Sequence, residues 1–138
     1  MTLNKKNRDI IVDYRLQKAK DTMTEVKGNV EMGFWHTAAN RLYYACYYAA
    51  TALLIKNGYS IHTHHGVFTL LGKHFVVTGI VSKEQNQFYR RVLELRQSGD
   101  YSDTIVVGEE NIRPLLEPAQ QFITAIENLI NKDEHPNS

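Results

Sequence analysis

Residues Trp35–Gly66 read WHTAANRLYYACYYAATALLIKNGYSIHTHHG. Within this stretch Leu42–Ile55 is apolar at every position except Thr51, and Arg41 and Lys56 border it. A helix that is apolar on all sides has to be covered on all sides. The segment therefore predicts a central bundle helix, about Trp35–Asn57, closed by Asn57-Gly58, a pair that tolerates left-handed backbone. Tyrosines fall in it as two i,i+4 pairs, Tyr43/Tyr47 and Tyr44/Tyr48, on adjacent faces. They serve either as core with each hydroxyl reaching a polar partner, or as a dimer interface or base-stacking surface. The chain has few complementary helical faces with which to bury all of them, which favours some interface use.

Working outward, Val12, Leu16, Ala19, Met23, Val26 and Val30 make one apolar stripe and predict a helix over about Lys6–Met32, stopped by Gly33. Beyond a loop at Tyr59–Thr63, Val67, Leu70, Leu71 and Phe75 predict a shorter helix from His65 to Thr78. Ser82 and Gln85 form a capping box for a fourth helix, whose face is Phe88, Val92 and Leu95 and which ends before Gly99. Residues Asp100–Gly108 read as a polar loop. A last helix, about Glu110–Lys132, buries Ile112, Leu115, Leu116, Ala119, Phe122, Ile123, Ile126 and Ile130. Pro114 suits a position near its start, and Pro118 should kink the helix or delay it. The expected fold class is all-α, an antiparallel up-and-down bundle of four to five helices, with one domain over 1–132 and a disordered tail at 133–138.

The 138 residues suit one core, and 43% hydrophobic and 22% charged residues are ordinary for a globular chain. A formal net charge of +1 argues against a broadly basic nucleic-acid surface. Cys46, the only cysteine, sits in the apolar helix and excludes a disulfide framework. The opening MTLNKKNRDI has no apolar signal core, and 42–55 is shorter than the roughly 20 residues of a membrane span. A cytoplasmic protein without membrane contact is expected.

Beside the tyrosines, two clusters carry chemistry. His62, His64 and His65 invite a zinc reading, but Thr63 and Gly66 supply no ligand and adjacent histidines diverge, so no metal is expected. Capping of the third helix by one histidine, or bonding to nearby backbone, is the expected use. Arg96-Gln97-Ser98-Gly99-Asp100-Tyr101-Ser102-Asp103 places a guanidinium at a helix end with carboxylates and a phenol beyond it. Locally, Arg96 would pair with Asp100 or Asp103. As a site, Arg96 would hold phosphate in bidentate fashion, with a neighbour moving protons. Arg41 is expected to reach Asp100 or Asp103 across the bundle.

The ordered series W-x-x-A-A-N-R-x-Y-Y-A, G-Y-x-x-x-T-H-x-G, G-K-H-F-V-x-T-G and F-Y-R-x-V-x-x-x-R-x-x-G-D-Y-x-D resembles the HEPN (higher eukaryotes and prokaryotes nucleotide-binding) family over about Arg15–Leu129. It is most similar to the small standalone prokaryotic branch. The resemblance implies a dimer in which central helices and Arg-bearing helix ends meet, with Tyr44, Tyr47 and Tyr48 as interface residues. It implies RNA or phosphate contact through Arg41, Arg96 and Gln97, supported by Asp100, Asp103 and His64. The implied partner is a minimal nucleotidyltransferase in a toxin–antitoxin-like or defence system, and no cofactor is implied.

The family's nuclease motif is an Arg, a polar residue, then a His at short spacing. Arg96 and Gln97 match it, and Tyr101 stands where the His belongs. A phenol of pKa about 10 is a poor base at neutral pH. His64 matches a histidine typical of the branch, and ordering the loop before the third helix is its expected role. The leading reading is a dimeric RNA-, nucleotide- and partner-binding module. The alternative is a metal-independent ribonuclease toxin using Arg96, with Tyr101 or His64 as base. A third reading, a mononucleotide-binding domain, lacks a Gly-rich phosphate loop.

Overall fold

The computed structural model describes the backbone of residues 4–101 and 106–134 and the side chains of 4–97 and 106–132. Helices α1 (Lys5–Met32), α2 (Trp35–Lys56), α3 (His64–Leu71), α4 (Lys83–Tyr101) and α5 (Glu109–Glu134) form an antiparallel all-α bundle. A π-helical turn, Gly72–Val76, continues α3. Helix α2 packs against α1, α3, α4 and α5, so the helix with no polar face is the one that meets every other helix.

Helix ends follow local chemistry. Asn4 Oδ1 accepts from the Asn7 N–H at 2.8 Å and caps α1. Gly33, at φ 73°, closes it. The Phe34 and Gly33 amides donate back to the Asn29 and Val30 carbonyls, the paired bonds of a Schellman stop. Helix α2 ends the same way, with Gly58 at φ 87° and Asn57 in ordinary backbone. The capping box of α4 forms: the Gln85 amide donates to Ser82 Oγ at 3.0 Å, and the Ser82 amide to Gln85 Oε1 at 3.2 Å.

Four expectations need correction. The third helix starts at His64, and its cap is Thr63, whose Oγ1 accepts from the Gly66 N–H at 2.8 Å, so no histidine caps it. Its last turn is π-helical, with the Val77 amide donating to the Gly72 carbonyl at 3.1 Å. Helix α4 runs through Gly99 to Tyr101, because Gly99 takes helical backbone and supplies no left-handed stop. Helix α5 begins at Glu109, runs past Lys132 to Glu134, and holds both prolines in its interior. The prolines are one i,i+4 pair, so the carbonyls they leave without a helical donor, those of Glu110 and Pro114, fall on one face. Both residues are exposed, so those carbonyls are open to solvent hydrogen bonding. Residues 135–138 of the expected tail lie outside the described residues.

The core explains the alanines of α2. Ala38, Ala39, Ala45, Ala49, Ala50 and Ala52 are all buried, and their small side chains let neighbouring helices approach closely. Thr51, also buried, donates to the Tyr48 carbonyl at 2.9 Å and accepts from Arg15 at 3.0 Å, which satisfies the one hydroxyl in the apolar run. Replacing the Thr63 cap with alanine should destabilise the protein by about 0.5–2 kcal/mol. Thermal melts read this directly. The room is limited, since a Cβ at Gly66 would lie 2.8 Å from Thr63 Oγ1.

Candidate functional site

The tyrosines of α2 split. Tyr43 is fully buried, while Tyr44, Tyr47 and Tyr48 are half-buried. One face of α2 therefore keeps three large aromatic rings within reach of a partner, although Leu42, Ala45, Ala49, Ala50 and Leu53 around them are covered.

Cations line this face. The Arg96 guanidinium, from α4, lies over the Tyr43 ring at 5.2 Å and the Tyr44 ring at 5.4 Å. Arg41, one turn before Tyr44, lies over the same Tyr44 ring at 4.9 Å. Lys18 of α1 sits over Tyr48 at 5.1 Å. Cations over aromatic faces are held by the ring quadrupole. Arg41 also donates twice to Asn40 Oδ1, at 2.8 and 3.1 Å, and faces Glu25 of α1 at 3.9 Å. The expected pair of Arg41 with Asp100 or Asp103 falls on side chains outside the described residues. The side chains of Asp100, Tyr101 and Asp103 lie outside the described residues. Gln97, at the end of α4, is exposed.

His64 joins the group from the first turn of α3. Its Nδ1 is 2.7 Å from the Tyr43 hydroxyl, a hydrogen bond whose donor depends on the histidine tautomer. Its ring lies 4.7 Å from that of Tyr47 and 5.7 Å from that of Tyr44. His64 and Arg96 therefore touch the same two rings, Tyr43 and Tyr44. Burial, with the nearby Arg96 charge, lowers the His64 pKa from its ordinary value, since both disfavour the imidazolium. Burial pushes the Tyr43 phenol up to about 12, against the opposing effects of Tyr89 and Arg96. Burial first, then the neighbouring Tyr43, also raises the Tyr89 pKa, so both phenols stay protonated at neutral pH. The Tyr89 ring stacks on Phe122 at 5.7 Å, which joins the site to the core.

The sequence predicts a loop-ordering role for His64, and the structure sets that histidine beside Arg96. Sequence reasoning counts Tyr43 among the four tyrosines of α2 without linking it to His64, and assigns no role to Tyr89. Tyr43 lies 21 residues before His64, and no spacing rule links them. Among the described residues, no three His, Cys, Asp or Glu side chains gather to hold a metal ion. None of the described helices is long and apolar enough to cross a membrane.

An all-helical bundle with a cation–aromatic face on its central helix defines a class that comparison with known proteins names. The HEPN domain model matches residues 12–129, so this chain belongs to the HEPN domain family. A UPF0332 protein of Thermotoga maritima is 37% identical over 128 residues, covering 93% of this chain and 96% of that protein. A chain of Methanocaldococcus jannaschii that bears the name "Putative toxin" is 26% identical, covering 86% of this chain and 81% of its own. The crystal structure of TT1696 from Thermus thermophilus shares the fold with TM-score 0.72 at 15% identity, over 85% of this chain and 96% of that one.

Proposed function

We propose that this HEPN protein is a toxin-type, homodimeric module that binds single-stranded RNA on the α2 tyrosine face and works with a minimal nucleotidyltransferase. The observation that carries the reading is the pair of guanidinium groups, Arg41 and Arg96, over the one half-buried Tyr44 ring. Phosphates take bidentate donors from such arginines, and bases stack on the adjoining rings. Lys18 over Tyr48 extends the track by a turn of α2.

The net charge of +1 fits a local contact of this kind better than a broad electrostatic surface. Tyr44, Tyr47 and Tyr48 also have the character of an interface core, in which aromatic residues are enriched. The nucleotidyltransferase partner rests on the family, and the toxin role on relatives that carry that name. The test combines light scattering with a fluorescence-anisotropy titration of a short single-stranded RNA in EDTA. A mass twice the 15.9 kDa of the chain and saturable binding are expected. A monomer that leaves the RNA free would sink the reading.

A further inference from the structure

We infer that the groove between α1 and the start of α2 is a base-reading subsite for a guanine of the single-stranded RNA, with Tyr14 as its stacking ring and Asp21 as its acceptor. This inference rests on the RNA-binding reading above and deepens it by naming the base.

The groove encloses about 290 Å³ and joins the tyrosine face through two cations. Lys18 and Arg41 line it, and the same two side chains lie over the Tyr48 and Tyr44 rings, at 5.1 and 4.9 Å. A strand whose phosphates follow those cations passes the mouth of the groove. On α1, Tyr14, Lys18, Asp21 and Glu25 fall at i, i+4, i+7 and i+11, so they share one face of the helix. Tyr14 is 63% exposed, and Lys18 Nζ lies 5.6 Å from its ring. A ring so exposed contributes little to the core and offers a flat platform for a base. The far end of the groove is closed by Glu25, which faces Arg41 at 3.9 Å.

Asp21 sits between these ends. Its Oδ1 accepts from Gln17 Nε2 at 2.9 Å, a bond that orients the carboxylate. The carboxylates of Asp21 and Glu25 repel phosphate, so the groove suits the base of a nucleotide rather than its backbone. An ionised carboxylate only accepts, and two adjacent N–H groups satisfy it in bidentate fashion. Guanine alone among the four RNA bases carries such a pair, N1–H beside the N2 amino group. Adenine and cytosine place a ring acceptor next to their amino group, and uracil has a single N–H between two carbonyls. Lys18, one turn from Asp21, supplies a donor for guanine O6. Stacking combined with hydrogen bonds to a base edge is how proteins read single-stranded RNA.

The test compares, by fluorescence anisotropy in EDTA, short oligouridine strands that carry uridine, guanosine, inosine, adenosine or cytidine at one central position. The native protein should bind the guanosine strand about 10-fold more tightly than the all-uridine strand, the scale of one bidentate base contact. Inosine keeps N1–H and lacks the amino group, so its strand should fall between the two. Asp21→Asn should bring the guanosine strand to within about threefold of the uridine strand, whose own affinity should stay within about twofold of native. Tyr14→Ala should weaken the guanosine strand by roughly 10-fold, the loss of one stacking ring. Both residues are exposed, so neither change removes a core contact.

Equal affinity of the native protein for all the strands overturns the inference and spares the binding reading. So does a guanosine preference that survives Asp21→Asn, or guanosine-strand affinity unchanged by Tyr14→Ala. Loss of the dimer in Asp21→Asn, read by light scattering, also overturns it and assigns the groove to a second copy of the chain. Native protein that binds none of the strands overturns both the inference and the reading beneath it.

Discussion

Arg96→Ala should weaken binding of single-stranded RNA by roughly 10- to 100-fold, the scale of one charge-assisted phosphate contact of about 1.5–3 kcal/mol. Arg96 is half-buried over two rings, so little conformational freedom remains to be lost when it meets phosphate. Anisotropy titrations at several salt concentrations check this, and the slope of log affinity against log salt should fall by about one. Arg96→Lys should recover only part of the loss, because an ammonium neither forks onto two phosphate oxygens nor stacks as a plane. Unchanged affinity and slope in the alanine variant would place RNA elsewhere on the molecule.

Phe122→Ala should cost about 3–5 kcal/mol of stability, as a large aromatic core truncation does. In a domain of this size that lowers Tm by roughly 10–20 °C. Phe122 is 2% exposed and stands between Phe88, at 6.0 Å, and Tyr89, stacked at 5.7 Å. Its loss leaves a void that the packed helices cannot collapse into without moving α4. Thermal melts by circular dichroism check the size of the effect, with Gln121→Ala, an exposed neighbour on the same helix, expected within about 0.5 kcal/mol of the native protein. Tyr89 also backs Tyr43, their ring centroids 6.0 Å apart. The same variant, measured well below its Tm, should therefore bind RNA more weakly. A melt unchanged by Phe122→Ala would contradict the packing of α4 on α5.

Much of the bundle is legible before folding because helix ends are chosen by neighbours in the chain. Gly33 and Gly58 stop α1 and α2, and Ser82 with Gln85 starts α4, through contacts that span a few residues. The all-apolar run of α2 likewise announces a helix that others must surround. The order of motifs along the chain identifies the family for the same reason: it is a one-dimensional property. Where local signals conflict with packing, packing wins. Pro118 does not delay the start of α5, because the freed carbonyls of the proline pair face water while Ile112, Leu115, Ala119 and Phe122 keep the helix on the core.

The site is a different matter. Arg96 is visible as a candidate because it stands in a recognisable segment, and Arg41 because it borders the apolar run. Which tyrosine is buried, and which faces outward, depends on where α1, α4 and α5 lie around α2. The sequence by itself determined the helices, most of their ends, the central place of α2 and the family. Only the tertiary structure decided that Tyr43 points inward to meet His64 and that His64 and Arg96 share two rings. A helix pattern records which faces are apolar, whereas the meeting of side chains from α2, α3 and α4 depends on how those faces are rotated and stacked in space.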